Sequence, residues 1–233
     1  MNWVVPEIWK DGECWIIGGG PSMPRQFGVP ESLITEICAG KTQPYEYSPW
    51  LHELWNKHVI GVNNAYLLGD WLDCLFFGDG SWYLSHQQRL GTWPGLKVTC
   101  WPRIVETKYD PTQSIKYLPK DTKKMHGLTA DKTKVCWNTN SGASAIGLAV
   151  HFGVKRIILL GFDMCLDQNR DSHWHGPHHP ELSKKKKSPP FMRHLMGFPQ
   201  IAEDAKRMGI EILNVNPDSA IDVFPKVSLK DVL

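Results

Sequence analysis

No two of the six cysteines, at positions 14, 38, 74, 100, 136 and 165, are spaced C-x-x-C, and they show no regular spacing. That absence argues against a disulfide framework. It leaves reduced, buried thiols in a cytoplasmic protein, since Cys14, Cys74 and Cys100 fall in strand-like runs where a free thiol behaves as a small hydrophobe. No stretch approaches eighteen uninterrupted apolar residues, which excludes a helical membrane span. The first residues, Met1 to Glu7, lack a basic segment followed by an apolar run, so no signal peptide is expected. Charge of one sign is also scarce: the net charge is +2, and gives no global electrostatic reason to expect nucleic acid as a partner. Two familiar glycine loops are missing as well. No Gly-Lys-Ser/Thr closes a Walker loop, and Met23 stands where the third glycine of Gly-x-Gly-x-x-Gly would fall, which weakens the ATPase and ordinary NAD readings. There is no internal repeat, and the single low-complexity tract is Lys184 to Lys187.

What is present suits one soluble α/β domain spanning residues 1–233: hydrophobic residues make up 42% and charged residues 21% of the chain, enough for a substantial core. The organising stretch is Cys14-Trp15-Ile16-Ile17-Gly18-Gly19-Gly20-Pro21-Ser22. An apolar run enters three glycines, whose missing Cβ atoms let an anion approach the backbone N–H groups. A helix starting near Ser22 would turn its positive end to the same place. Strand, glycine turn and helix start together read as the nucleotide site of an open parallel sheet.

Further continuous apolar runs follow at 58–62, 74–77, 96–101, 156–161 and 210–215, the pattern of strands covered on both faces. Between them the sequence predicts helices at 31–38, 51–57, 65–68, 82–90, from Asn140 to Gly153, and at 191–208 with a bend near Pro199. Residues 41–49 read as a loop. Residues 102–135 read as a polar insertion covering the site, and 164–190 as a His- and Lys-rich mobile lid. Strand–helix alternation with short links predicts a doubly wound, Rossmann-like fold with a mainly parallel sheet. Ligands of such sheets bind beyond the carboxyl ends of the strands. Glycine, amide or carboxylate groups stand at five of these ends: Gly18 to Ser22, Asn63-Asn64, Gly78 to Ser81 with Asp79, Asp163, and Asn216 to Ser219.

At these residues the chain resembles the bacterial sialyltransferases. Ile-Ile-Gly-Gly-Gly-Pro-Ser looks like their Gly-x-Gly-Pro-Ser motif, and Val62-Asn63-Asn64-Ala65-Tyr66 like their second-strand asparagine motif. Asn140-Ser141-Gly142, the small-residue helix after it and Ile158 to Asp163 are similar to a third segment, and Ile210 to Ser219 to the last strand and turn. The same skeleton belongs to the flagellin-glycosylation accessory family and the 6-hydroxymethylpterin diphosphokinases, and small relatives occur in tailed phages and prophages. The resemblance implies that Gly18, Gly20, Pro21 and Ser22 hold a donor phosphate, with Gly19 in the same turn. It further implies that Asn63 or Asn64 contacts the nucleotide, that Asn140, Ser141 and Gly142 lie beside phosphate or ribose, and that no metal is essential. The family's catalytic histidine has several counterparts here, His173, His175, His178, His179 and His194. The family's phosphate-assisting tyrosines have no clear match after Asp163.

The segment Ser172 to His179 packs four imidazoles, and His-x-His with Cys165, Asp163, Asp167 and Asp171 nearby would also suit a transition metal. The leading expectation is a nucleotide-sugar-dependent glycosyltransferase in which His173, His175 or His194, with Asp163 nearby, activates an acceptor hydroxyl. The alternatives are an ATP-dependent diphosphokinase with Mg²⁺ on Asp79 and Asp163, and a non-catalytic phage module that binds nucleotide or DNA.

Overall fold

The computed structural model describes residues 3–176 and 190–233. His178, His179 and the lysine tract lie outside the described residues. Seven strands form one sheet in the order β5-β4-β3-β2-β1-β6-β7, and every pairing is parallel. They are β1 (Glu13–Ile17), β2 (Val59–Val62), β3 (Cys74–Phe77), β4 (Leu96–Thr99), β5 (Ile115–Tyr117), β6 (Arg156–Leu160) and β7 (Glu211–Asn214). The expected α/β Rossmann-like fold is therefore present. The chain winds from β1 outward to β5, returns across the sheet to β6 beside β1, and ends at β7. The crevice beyond the ends of β1 and β6 is thus the switch point, where open α/β sheets take ligands.

Side chains of a strand alternate between faces, so the apolar run of β1 divides between two cores. Cys14 and Ile16 join one core, closed by α4 (Ser141–His151) and α6 (Phe198–Met208) through Ala143, Ile146, Phe198 and Ile201. Trp15 and Ile17 join the other, closed by α2 (Glu31–Cys38) and α3 (Gly80–Leu90) through Ile34, Ile37, Trp82 and Tyr83. Two short helices, α1 (Ser22–Gln26) and α5 (Phe191–Leu195), lie at the carboxyl end of the sheet. All six cysteines are free thiols; Cys38 and Cys165 are only partly buried.

Three expectations are corrected. Residues 102–135 do not cover the site: they supply edge strand β5, hydrogen-bonded parallel to β4, and none of them lines the cavity described below. The predicted helix at 51–57 and the loop before it are instead one 3₁₀ segment, Pro44–Leu54, which buries Tyr47, Leu51 and Leu54. The single bent helix at 191–208 is two helices, broken at Met196-Gly197, with Pro199 in the first turn of α6, where its missing N–H costs nothing. Among the described residues, no helix is long and apolar enough to cross a membrane.

Candidate active site

A cavity of about 390 Å³ opens at the switch point. Its walls bring together Gly18, Gly19 and Gly20 after β1, Asn63 after β2, Asp79 after β3, Asp163 after β6, and Asn140, Ser141 and Gly142 at the start of α4. His173, His175 and His194 also line it, so four of the five strand ends singled out in the sequence meet the start of α4, the segment holding His173 and His175, and α5. Pro21, Ser22, Asn64 and the 216–219 turn do not line it.

The glycines have a packing reason beyond ligand access. A Cβ on Gly18 would stand 2.7 Å from the Gly161 carbonyl oxygen, and one on Gly20 2.5 Å from Cγ of Asp163. The Gly20 N–H donates to that same Gly161 carbonyl at 2.8 Å. Two of the three glycines are therefore fixed by the close approach of the β1 and β6 ends. Gly19 is different: its Cβ would meet only the His173 ring, 2.8 Å away.

Ser22 also has another use. Its N–H donates to Asp163 Oδ2 at 2.8 Å and its hydroxyl to Oδ1 at 2.6 Å, while Asn216 Nδ2 donates to Oδ1 at 2.8 Å. The carboxylate of Asp163 thus occupies the start of α1, where a ligand phosphate was expected. Burial pushes this carboxyl above the usual carboxylate range, against the three donors that hold its charge. Asp79 caps α3, its Oδ1 accepting from Ser81 N at 2.8 Å and Ser81 Oγ at 2.9 Å. Among the described residues, no three His, Cys, Asp or Glu side chains group as a metal site would require.

The starts of two eleven-residue helices line the cavity, α3 with Asp79 and Gly80 and α4 with Asn140 to Gly142. Asn140 caps α4 by accepting from the N–H groups of Gly142 at 2.8 Å and Ala143 at 3.3 Å. Asn138 and Thr139 precede the cap in the left-handed region, with φ of 54° and 55°, a costly conformation for a β-branched threonine. Asn138 is held there by bonds to both backbone groups of Gly127, and the Thr139 hydroxyl donates to the Arg193 carbonyl at 2.7 Å. This turn therefore fixes α5 beside the start of α4. Asn63 is left-handed too, with φ of 51°, and its Oδ1 is buried without a hydrogen-bond partner among the described residues.

The histidines are placed by the residue between two of them. Trp174 is fully buried, donates through Nε1 to the Gly18 carbonyl at 2.8 Å and through its N–H to that of Gly19 at 3.0 Å, and accepts from Tyr47 Oη at 3.1 Å. With Trp174 driven inward, His173 and His175 both reach the cavity, their ring centroids 5.1 Å apart. Ser172 Oγ lies 2.8 Å from His173 Nδ1, and Asn64 Nδ2 lies 3.2 Å from His175 Nδ1. Burial lowers the pKa of His173 to about 4, with His194 adding to the shift, so the imidazole is neutral at pH 7. Burial and Arg193 lower that of His194.

Asn64 sits behind the wall and accepts from Trp82 Nε1 at 2.6 Å. Asn64→Ala would leave that buried indole N–H unsatisfied. The expected loss is about 1–3 kcal/mol in urea unfolding; an unchanged midpoint would show that water replaces the amide. Residues that the sequence did not single out include Trp137, Thr139, Phe162, Ser172 and Arg193, all of which line the cavity.

A scan against protein-family models gives no match to this sequence, and a search of curated proteins gives none either. Solved structures do match. The monofunctional α-2,3-sialyltransferase Cst-I from Campylobacter jejuni superposes with a TM-score of 0.55 at 14% identity, over 97% of this chain and 83% of that one. A variant of the sialyltransferase CST-II in complex with CMP gives 0.52 at 15% identity, over 93% and 86%. The MAf glycosyltransferase from Magnetospirillum magneticum AMB-1 gives 0.58 at 10% identity over 99% of this chain, which spans 36% of that longer protein. At these identities the chain shares with sialyltransferases and a MAf glycosyltransferase their fold.

Proposed function

We propose that this chain is a nucleotide-sugar-dependent glycosyltransferase whose cavity holds the donor beside His173, which takes the proton of an acceptor hydroxyl. The observation that carries the reading is the placement of a neutral, Ser172-oriented histidine against the glycine turn, in the cavity that the start of α4 also faces. The dipole of α4 favours the negative charge of a donor phosphate at that helix start, where the Asn140 cap already takes the N–H groups of Gly142 and Ala143. Asn63 Oδ1 offers an acceptor to an amino or hydroxyl group of the nucleoside.

In the tautomer whose Nδ1–H donates to Ser172 Oγ, His173 Nε2 carries the lone pair that takes the proton. The low pKa leaves the ring unprotonated and ready to accept. An entering phosphate raises it, because a nearby anion favours the imidazolium, and so brings its basicity closer to that of a useful general base. The acceptor oxygen then bonds to the anomeric carbon, the bond from that carbon to the phosphate oxygen breaks, and its electron pair leaves with the nucleotide. The sialyltransferases of the same fold, one of them in complex with CMP, point the same way. The diphosphokinase reading fits less well, because Asp163 is committed to Ser22 and Asn216 and Asp79 commits an oxygen to its cap.

Thermal denaturation with CMP, UDP, GDP and ATP tests the first half. At 100 times Kd, a bound nucleotide adds about 2.7 kcal/mol, a Tm rise of about 5–10 °C for a chain of this size. The second half is read as nucleotide release from the matching nucleotide sugar, undiminished by EDTA. Turnover confined to Mg²⁺–ATP, or loss of release on chelation, would overturn the proposal.

A further inference from the structure

We infer that Arg193 is the residue that holds the leaving phosphate of the donor and carries the charge that develops on it. The inference rests on the glycosyl-transfer reading above and deepens it. Among the described residues, Arg193 is the sole lysine or arginine lining the cavity. Arg193 is exposed, and its guanidinium makes no hydrogen bond or ion pair to any described residue. Of the two carboxylates in the same wall, Asp163 is held by Ser22 and Asn216, and Asp79 by the start of α3. Neither is paired with Arg193.

The backbone position of Arg193 is built rather than incidental. Thr139, in its left-handed conformation, donates its hydroxyl to the Arg193 carbonyl, and the next residue, Asn140, is the cap of α4. The backbone of Arg193 is thereby held next to the start of α4, within a side chain's reach of a phosphate placed there. Breaking the anomeric bond adds one negative charge to the leaving nucleotide, whichever nucleotide it is. The acceptor's proton goes to His173, so that charge stays on the phosphate. A planar guanidinium can meet two of its oxygens at once, which a lysine cannot.

The test compares CMP with cytidine, and UDP with uridine, by titration calorimetry on the parent, Arg193→Ala and Arg193→Lys. The side chain is exposed and makes no contact that folding needs, so all three are expected to fold alike. The parent should bind the nucleotide of at least one pair more tightly than its nucleoside. R193A should lose about 10- to 100-fold of nucleotide affinity, the size of a lost charge-assisted hydrogen bond, with nucleoside affinity unchanged and R193K intermediate. Donor turnover in R193A should fall by about 10²- to 10³-fold, the cost of removing one stabilising donor from a developing anion. A parent that prefers nucleotide, with R193A keeping that preference and its turnover, overturns the inference alone. A parent that binds neither pair removes the nucleotide reading and the inference together.

Discussion

His173→Ala is expected to lower glycosyl transfer by about 10²- to 10⁴-fold, the usual contribution of a positioned general base, while nucleotide affinity stays near that of the parent. The ring lies over Gly19 and is oriented by Ser172, so its loss removes a proton acceptor without removing a backbone N–H from the donor site. His175→Ala is the control, since that ring is bonded to Asn64 and its removal leaves His173 anchored by the burial of Trp174. The pH dependence has a definite sign. The base must be unprotonated, so kcat falls as pH drops through the His173 pKa of the donor complex. In the empty cavity that pKa is about 4, and the donor's phosphate moves it upward. Parent-like turnover in H173A with a collapse in His194→Ala would transfer the role to His194, whose ring lines the same cavity. Full activity in both would end the histidine mechanism.

How much of this could be read from the residues differs from element to element. β1 and β6 each carry four consecutive buried apolar residues after a charged first one, and the glycines between β1 and α1 mark the turn without ambiguity. β5 is three half-buried residues at a sheet edge, too short for any periodicity and paired only through its neighbour β4. The 3₁₀ segment with Pro49 inside it has no 3.6-residue pattern to detect. Within the site, the ends of β1, β2, β3 and β6 converge as the strand-end rule requires. The partner of Ser22, however, is Asp163, 141 residues away, and no local signal could supply that contact. Pairing them turns an expected phosphate site into an internal one. His-Trp-His held a usable signal: in an extended segment the tryptophan faces opposite to its neighbours, so a buried indole sends both imidazoles the other way. Arg193 carried none, being one arginine in a mainly apolar stretch, Phe191 to Phe198, until the fold bonded its carbonyl to Thr139.

Alanine at Gly19 and alanine at Gly20 should fail in opposite ways, although the two residues are adjacent. At Gly20 the added methyl would sit 2.5 Å from Cγ of Asp163 and 2.6 Å from the carbonyl oxygen of Gly161. Neither can move cheaply. Asp163 is held by three donors, and Gly161 accepts the Gly20 N–H while itself left-handed, with φ of 65°. Separating the ends of β1 and β6 is the remaining response, so Gly20→Ala should cost at least the ~1–3 kcal/mol typical of overpacking. That is a Tm loss of about 2–12 °C or more for a chain of this size, or no soluble protein. At Gly19 the methyl meets only the His173 ring, 2.8 Å from Cδ2 and 3.7 Å from Nε2. A ring can swing where a backbone cannot, so Gly19→Ala should stay within about 1 kcal/mol of the parent, as single substitutions away from the packed core usually do. The displaced imidazole should nonetheless cost about 10²-fold in turnover, the effect of misplacing a reacting group by about 1 Å. Gly19→Val pushes further, and should weaken nucleotide binding as well while circular dichroism stays nearly unchanged. The pair is read by thermal unfolding and steady-state kinetics on the same preparations. Parent-like kinetics in G19A would show that the His173 contact plays no part in the chemistry, and a parent-like Tm in G20A would show that the β1 and β6 ends relax without cost.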